Sequence, residues 1–181
     1  IIHLGIVILI IGHLFATTSI DRNDMSHQIT LVRNEVTSYG SFEYTFEDIV
    51  ILKKSELEFE NRFDVGDGYI GTIIKISDSE GKSTKIEPGV LRFDMPFETF
   101  PRSEVDRAVK FQGDIVVIFD LSQSQAMENM QNNELENLQQ IRVTIYELPG
   151  SHLVWGGWML TLLGSMALIG IPSKKIDPLD S

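Results

Sequence analysis

A mainly β extracytoplasmic domain, a small β-sandwich or barrel flanked by two transmembrane α-helices, is the fold class this sequence predicts. The charges of the 181-residue chain are confined to its middle, since no Asp, Glu, Lys or Arg occurs in residues 1–20 or 148–173. Residues 21–147 hold 13 basic and 24 acidic side chains, the whole of the formal charge of -11. Within that middle, apolar and polar residues alternate with a period of two between glycine- and proline-containing turns. The near-neutral mean hydropathy of +0.02 therefore averages over three unlike pieces.

Residues 1–20 open with IIHLGIVILIIGHLF and are expected as a transmembrane helix truncated at its start. The run lacks an initiator Met, a basic leader and a small-residue cleavage pattern, so it reads as part of a longer membrane protein. Strands are expected at 28–33, 42–52, 56–63, 69–77, 90–94, 114–121 and 141–147. The turns between them fall at 39–41, 66–68, 79–82 and 87–89, each with glycine. Residues 122–140 are polar, Gln/Asn-rich and free of Lys and Arg, which predicts an inserted surface loop with a short helical stretch. The 148–173 segment is expected as the second transmembrane helix. A 20-residue helix rises about 30 Å, the thickness of a bilayer's hydrocarbon core. Gly156, Gly157, Gly164 and Gly170 offer close-packing faces, and Trp155 and Trp158 suit a membrane interface. Lys174 and Lys175 mark 174–181 as a cytoplasmic tail, which places residues 21–147 on the extracytoplasmic side.

The composition excludes several chemistries. With no cysteine there is no disulfide framework, thiol nucleophile, CxxC motif or Cys-based zinc site. The acidic balance argues against nucleic acid, whose phosphates need clustered Lys and Arg. GxSxG, HExxH and P-loop patterns are absent, so no hydrolase or transferase motif stands in the chain and no catalytic residue is named. Gly66, Gly68 and Gly71 imitate a cofactor fingerprint, but a strand follows them, which reads as a hairpin turn. Asp64 and Asp67 lack calcium-loop spacing. Glu56, Glu58 and Glu60 read as the solvated face of a strand.

Four histidines remain, His3, His13, His27 and His152. His3 is the informative one, because a lone ionisable residue inside a membrane helix is costly and marks function. Imidazole is a common axial ligand of haem iron, and Gly5 would let a flat macrocycle approach the helix. The competing reading is a histidine hydrogen-bonded between helices. His13 lies about 15 Å further along and near the outer interface, His152 is interfacial, and His27 belongs to the domain. His3 and His152 fall near opposite membrane faces and are not expected to pair.

Three segments, HLGIVILIIG (3–12), PRSEVDRAVKFQGDIVVIF (101–119) and LPGSHLVWGGWMLTLLGSMAL (148–168), carry a resemblance. In that order they resemble the C-terminal portion of the CcmF/CycK family, large membrane proteins of cytochrome c-type biogenesis that act in a haem lyase complex. The sequence departs from the family pattern at Ile115 or Ile118, where a Tyr is expected, at His152 and Val154, and in the 122–140 insertion. The resemblance spans nearly all of this chain but only the last third of the family protein. It implies that His3 is an axial ligand of a membrane b-type haem, bound through the haem iron and shared with an upstream His absent from this chain. It also implies partners: other subunits of the haem lyase complex, a haem chaperone and apocytochrome c. The family's Trp-rich haem-handling loop and its two extracytoplasmic His are missing, so the chain would not transfer haem by itself. The alternatives are a generic membrane-anchored extracytoplasmic β binding domain without haem, and an accessory subunit of an electron-transfer complex.

Overall fold

A computed structural model describes residues 1–18, 21, 24–93, 101–110, 113–120, 122–123, 134–135 and 137–169. They form two compact units, one built from the terminal helices and the other from the strands.

The helical unit holds α1 (Ile2–Thr18) and a second long helix near the other end of the chain, α3 (Ser151–Ile169). Neither has a charged residue in its first or last turn. Thr17 and Thr18 donate their hydroxyls back one turn to the carbonyls of His13 and Leu14, at 2.7 and 2.6 Å. The two helices run antiparallel, with Gly164 beside Ile2, Gly157 beside Leu9, and Gly12 beside Leu153 and Val154. The close approach depends on glycines seven residues apart on each helix, Gly5 and Gly12 on α1, Gly157 and Gly164 on α3. A Cβ on Gly157 would lie 2.5 Å from the Leu9 nitrogen, and one on Gly5 would lie 2.6 Å from the Thr161 hydroxyl oxygen. A seven-residue spacing keeps one seam facing the partner helix at a shallow crossing angle.

The expectation of two flanking transmembrane helices is corrected here, because no helix of the described residues is long and apolar enough to cross a membrane. At 1.5 Å per residue the 17 residues of α1 rise only about 25 Å, short of a hydrocarbon core of about 30 Å. The 19 residues of α3 include His152, Gly156, Gly157, Gly164, Thr161 and Ser165, which dilute its apolar character. Away from the seam the pair is nevertheless greasy. Leu4, Val7, Ile10, Leu14, Trp155, Leu162 and Met166 are all exposed.

The other unit is two antiparallel sheets face to face. Its strands are β1 (Gln28–Val32), β2 (Val36–Tyr39), β3 (Phe42–Lys53), β4 (Gly68–Ser77), β5 (Ser83–Ile86), β6 (Gly89–Arg92), β7 (Arg102–Glu104), β8 (Asp106–Lys110), β9 (Gly113–Phe119) and β10 (Gln140–Pro149). One sheet has the order β1-β10-β9-β8; the other has β2-β3-β4-β6-β7, with β5 also paired to β4. The sheets approach where Arg33 bridges to Phe46, and Arg33 pairs with Asp48 at the bulge between Phe46 and Asp48. Alternation sends Leu31, Ile115, Val117, Phe119, Ile141, Val143 and Ile145 from one sheet onto Tyr44, Phe46, Ile74 and Ile76 of the other. Such a core is the mainly β domain the alternation predicted.

Local departures have local causes. Residues 56–63, expected as a strand, hold α2 (Leu57–Arg62) instead. Glu58 and Glu60 in its first turn and Arg62 in its last complement the helix dipole, and Arg62 pairs with Glu58 one turn back at 3.8 Å. The apolar residues Phe59 and Phe63 stand four apart, so they share a helix face as readily as a strand face, and Phe59 is buried against Leu52, Tyr69 and Leu91. Strands β2, β5, β7 and β8 were not foreseen. Each is short and at least half of its residues are polar, so no apolar face stands out. Most of the 122–140 insertion lies outside the described residues, but Leu135 is buried and Leu138 packs against the core. Residues 174–181, with Lys174 and Lys175, also lie outside them.

Candidate functional site

His3 sits in the first turn of α1, exposed, at the mouth of an apolar cavity of about 330 Å³ lined also by Ile1, Ile2, Gly164, Ala167 and Leu168. The antiparallel pairing brings the start of α1 to the last turns of α3, which is why the walls come from both helices. His13 lies exposed towards the other end of α1, the end that meets the start of α3 and His152. The structure thus brings neither beside His3. Among the described residues no three His, Asp or Glu side chains are grouped to hold a metal ion. Gly5 does not present a free face to a macrocycle, for it is buried in the seam against Gly157 and Thr161.

For a haem the chain's own residues fit one side only. His3 provides one imidazole, and Ile1, Ile2, Ala167 and Leu168 provide an apolar wall. A second axial position has no candidate among the described residues of this cavity.

The β unit contains a second constellation, one that sequence reading passed over. His27 closes a single 3-10 turn (Met25–His27) whose Asp24 cap accepts from the Ser26 N–H at 2.8 Å. That hydrogen bond holds the Asp24 carboxyl below its ordinary range. The His27 Nδ1 lies 2.7 Å from the Tyr39 hydroxyl, and its ring lies 5.1 Å from that of Tyr146. Tyr39 in turn meets Tyr44 edge-on at 6.4 Å. Tyr44 is fully buried, and its hydroxyl has no hydrogen-bond partner among the described residues. Beside this group the Glu147 carboxylate accepts the Ser41 N–H at 3.3 Å, so β10 of one sheet pins the β2–β3 turn of the other. Gly40 in that turn has φ +56°, and a Cβ there would strike the Glu147 carboxyl.

Burial raises Glu147 above the ordinary carboxyl range, and burial with the neighbouring Glu147 raises Tyr39 and Tyr44. A carboxyl raised on folding contributes stability below its unfolded value, and that contribution is lost as pH rises through the folded value. At neutral pH ionised Glu147 therefore opposes folding. Glu147→Gln keeps an acceptor for Ser41 and cannot ionise. It is expected to raise the melting temperature at pH 7 by roughly one to three degrees and to leave it unchanged near pH 4. Thermal melts across that pH range check it, and a lower melting temperature at pH 7 would contradict it.

The only sequence signal for this cluster was four Tyr and His residues at scattered positions of a β domain. Strand pairing, not spacing, brings them together.

No protein-family model matches the chain, and no curated protein matches it. Among solved structures the chain is similar to a cytochrome c haem lyase, CcmF. The match has a TM-score of 0.56 at 13% sequence identity and covers 94% of this chain and 24% of that one. The chain thus spans about a quarter of that protein's length. The likeness is a distant structural relationship, one of fold.

Proposed function

We propose that this chain is part of a cytochrome c biogenesis protein related to the haem lyase CcmF, with His3 as one axial ligand of a b-type haem. The observation that carries the reading is the structural match over 94% of the chain, helices and β unit together. Three separate segments, 3–12, 101–119 and 148–168, resemble the same family in the same order. In this reading the apolar flanks of α1 and α3 pack against further apolar elements of a membrane-associated protein. The acidic β unit stands on the extracytoplasmic side as a docking surface for the haem chaperone, apocytochrome c or other subunits of the lyase complex.

When bound, such a haem supplies one-electron chemistry that keeps a second haem ferrous for attachment to thiols. The chain's own part is to hold and to exclude. His3 would present an imidazole lone pair, and Ile1, Ile2, Ala167 and Leu168 would offer that side an apolar wall. The seam glycines let both walls approach closely, because a Cβ at Gly5 or Gly157 would meet the backbone of the facing helix. The second axial ligand comes from outside this chain.

The test is the reduced-minus-oxidised absorption spectrum of the natural gene product. His3→Ala is expected to abolish or shift the b-type bands, and an unchanged spectrum would overturn the ligand assignment. A second reading, an extracytoplasmic β binding module without haem, is favoured by the burial of Gly5 in the seam and by the lone imidazole at the cavity. Its mark would be a natural protein with no haem at all.

A further inference from the structure

A second pocket lies wholly in the β unit, between α2 and the start of β4. It has a volume of about 310 Å³ and is lined by Lys54, Phe59, Glu60, Phe63, Asp64, Val65 and Gly66. Phe59 forms the buried floor, Phe63 is half-buried, and exposed Val65 makes an apolar lip. The two phenyl rings lie 5.3 Å apart, and Phe63 rests 4.8 Å from Tyr69. Gly66 has φ +106°, and a side chain there would lie 3.1 Å from Leu91 and crowd the floor.

The acids around this pocket divide into two sets. Glu58 and Glu87 pair with Arg62, Asp67 pairs with Lys54 at 2.6 Å, and Glu56 accepts the Lys53 N–H at 3.2 Å. Glu60 and Asp64, the two carboxylates that line the pocket, have no side-chain partner among the described residues. Arg62 is not part of the lining. It stacks over Phe63 and Tyr69, 5.2 Å from each ring, and its 2.9 Å bond to Glu87 holds that stack in place. The aromatic wall is therefore fixed before anything docks.

We infer that this pocket seats one Lys or Arg side chain of a partner polypeptide. The aliphatic stem would lie along Phe59, Phe63 and Val65, with the cationic head between Glu60 and Asp64. An aromatic floor attracts a cation through its ring quadrupole, and long basic side chains bury their stems while the head stays wet. Charge complementarity selects the occupant. The formal charge of -11 resides wholly in residues 21–147, so a basic segment is drawn towards this unit, whereas an anionic ligand meets Glu60 and Asp64 beside a lining lysine, Lys54, that Asp67 already neutralises. This gives the docking role of the β unit a face, and it stands on the pocket alone. A His3 variant with an unchanged haem spectrum leaves it intact.

The test uses the full chain in mild non-ionic detergent with three blocked pentapeptides, Ac-Ala-Leu-Arg-Leu-Ala-NH2 and its Gln and Glu counterparts at the central position. Amide shifts on titration are expected at residues 60–66 for the Arg peptide, and none for the Gln or Glu peptide. The double variant Glu60→Gln with Asp64→Asn is expected to weaken the Arg peptide about tenfold, while Glu80→Gln, on the distant β4–β5 turn, leaves it unchanged. Equal weakening by Glu80→Gln would show general attraction to an acidic surface and overturn the site. So would unchanged binding in the double variant, or shifts that map elsewhere.

Discussion

Gly157→Leu is expected to pull the two long helices apart while the neighbouring change Gly156→Ala does no harm. The two glycines are adjacent in sequence but face different surroundings. A Cβ at position 157 would stand 2.5 Å from the Leu9 nitrogen, 2.6 Å from its Cβ and 2.7 Å from the Gly5 carbonyl oxygen. Two of those atoms are backbone, so no rotamer change relieves the clash and the helices must separate or slide. Overpacking of this kind costs roughly 1–3 kcal/mol in a well-packed interior, and a leucine adds three more carbons beyond the Cβ. At position 156 nothing lies within 4 Å of a Cβ. There alanine gains up to about 1 kcal/mol of helix propensity over glycine. Helical circular dichroism on heating, with the fluorescence of Trp155 and Trp158, reads both variants. Matching melting curves for the two would show that the seam does not hold the pair.

Tyr44→Phe is expected to stabilise the β unit, an unusual sign for a fully buried position. Removing a side chain's only polar atom normally costs the hydrogen bond it made. Here the Tyr44 hydroxyl has no partner among the described residues and sits at 0% exposure, so the folded state bears its desolvation uncompensated. A buried unsatisfied polar group costs about 1–3 kcal/mol. The phenyl ring keeps its packing between the sheets and its edge contact with Tyr39, so only the oxygen's small volume is lost. The net gain is about 1 kcal/mol, a rise of roughly 4 °C in the melting temperature of a unit this size. Near-UV circular dichroism of the full chain follows it. A lower melting temperature would mean that the hydroxyl is hydrogen-bonded after all. Combination with Glu147→Gln should be less than additive, since burial of Tyr44 and Glu147 places them in one electrostatic neighbourhood.

Why would a fold keep an orphaned hydroxyl and a raised carboxyl side by side? The cluster lies where β1 and β10 of one sheet meet the β2–β3 turn of the other, and the sheets gain their contact there through Glu147 and Ser41. The same geometry that fixes the turn places a carboxylate where water is scarce, so rigidity and the electrostatic cost come together.

The sequence by itself determined the division into an acidic β piece between two uncharged apolar ones. Charge absence and period-two alternation are local properties, and the strands β1, β3, β4, β9 and β10 came out close to their observed limits. Strong alternation over several residues leaves a chain little choice of face. Short strands such as β2 and β7 offer too few residues for that signal, and ELEFENRF fits both periods until its burial decides for a helix.

What only the tertiary structure decided is which residues meet. Glycines seven apart were legible at 5 and 12 and at 157 and 164, but nothing along the chain said that Gly157 lies against Leu9 or that Gly5 would be spent on a helix seam. Among the described residues no helix is long and apolar enough to cross a bilayer, in place of the two expected spans. The Tyr39, Tyr44, Tyr146 and Glu147 cluster and the Phe59–Phe63 pocket were equally invisible. Contacts between distant segments are set by strand order and register, and those are properties of the folded sheets.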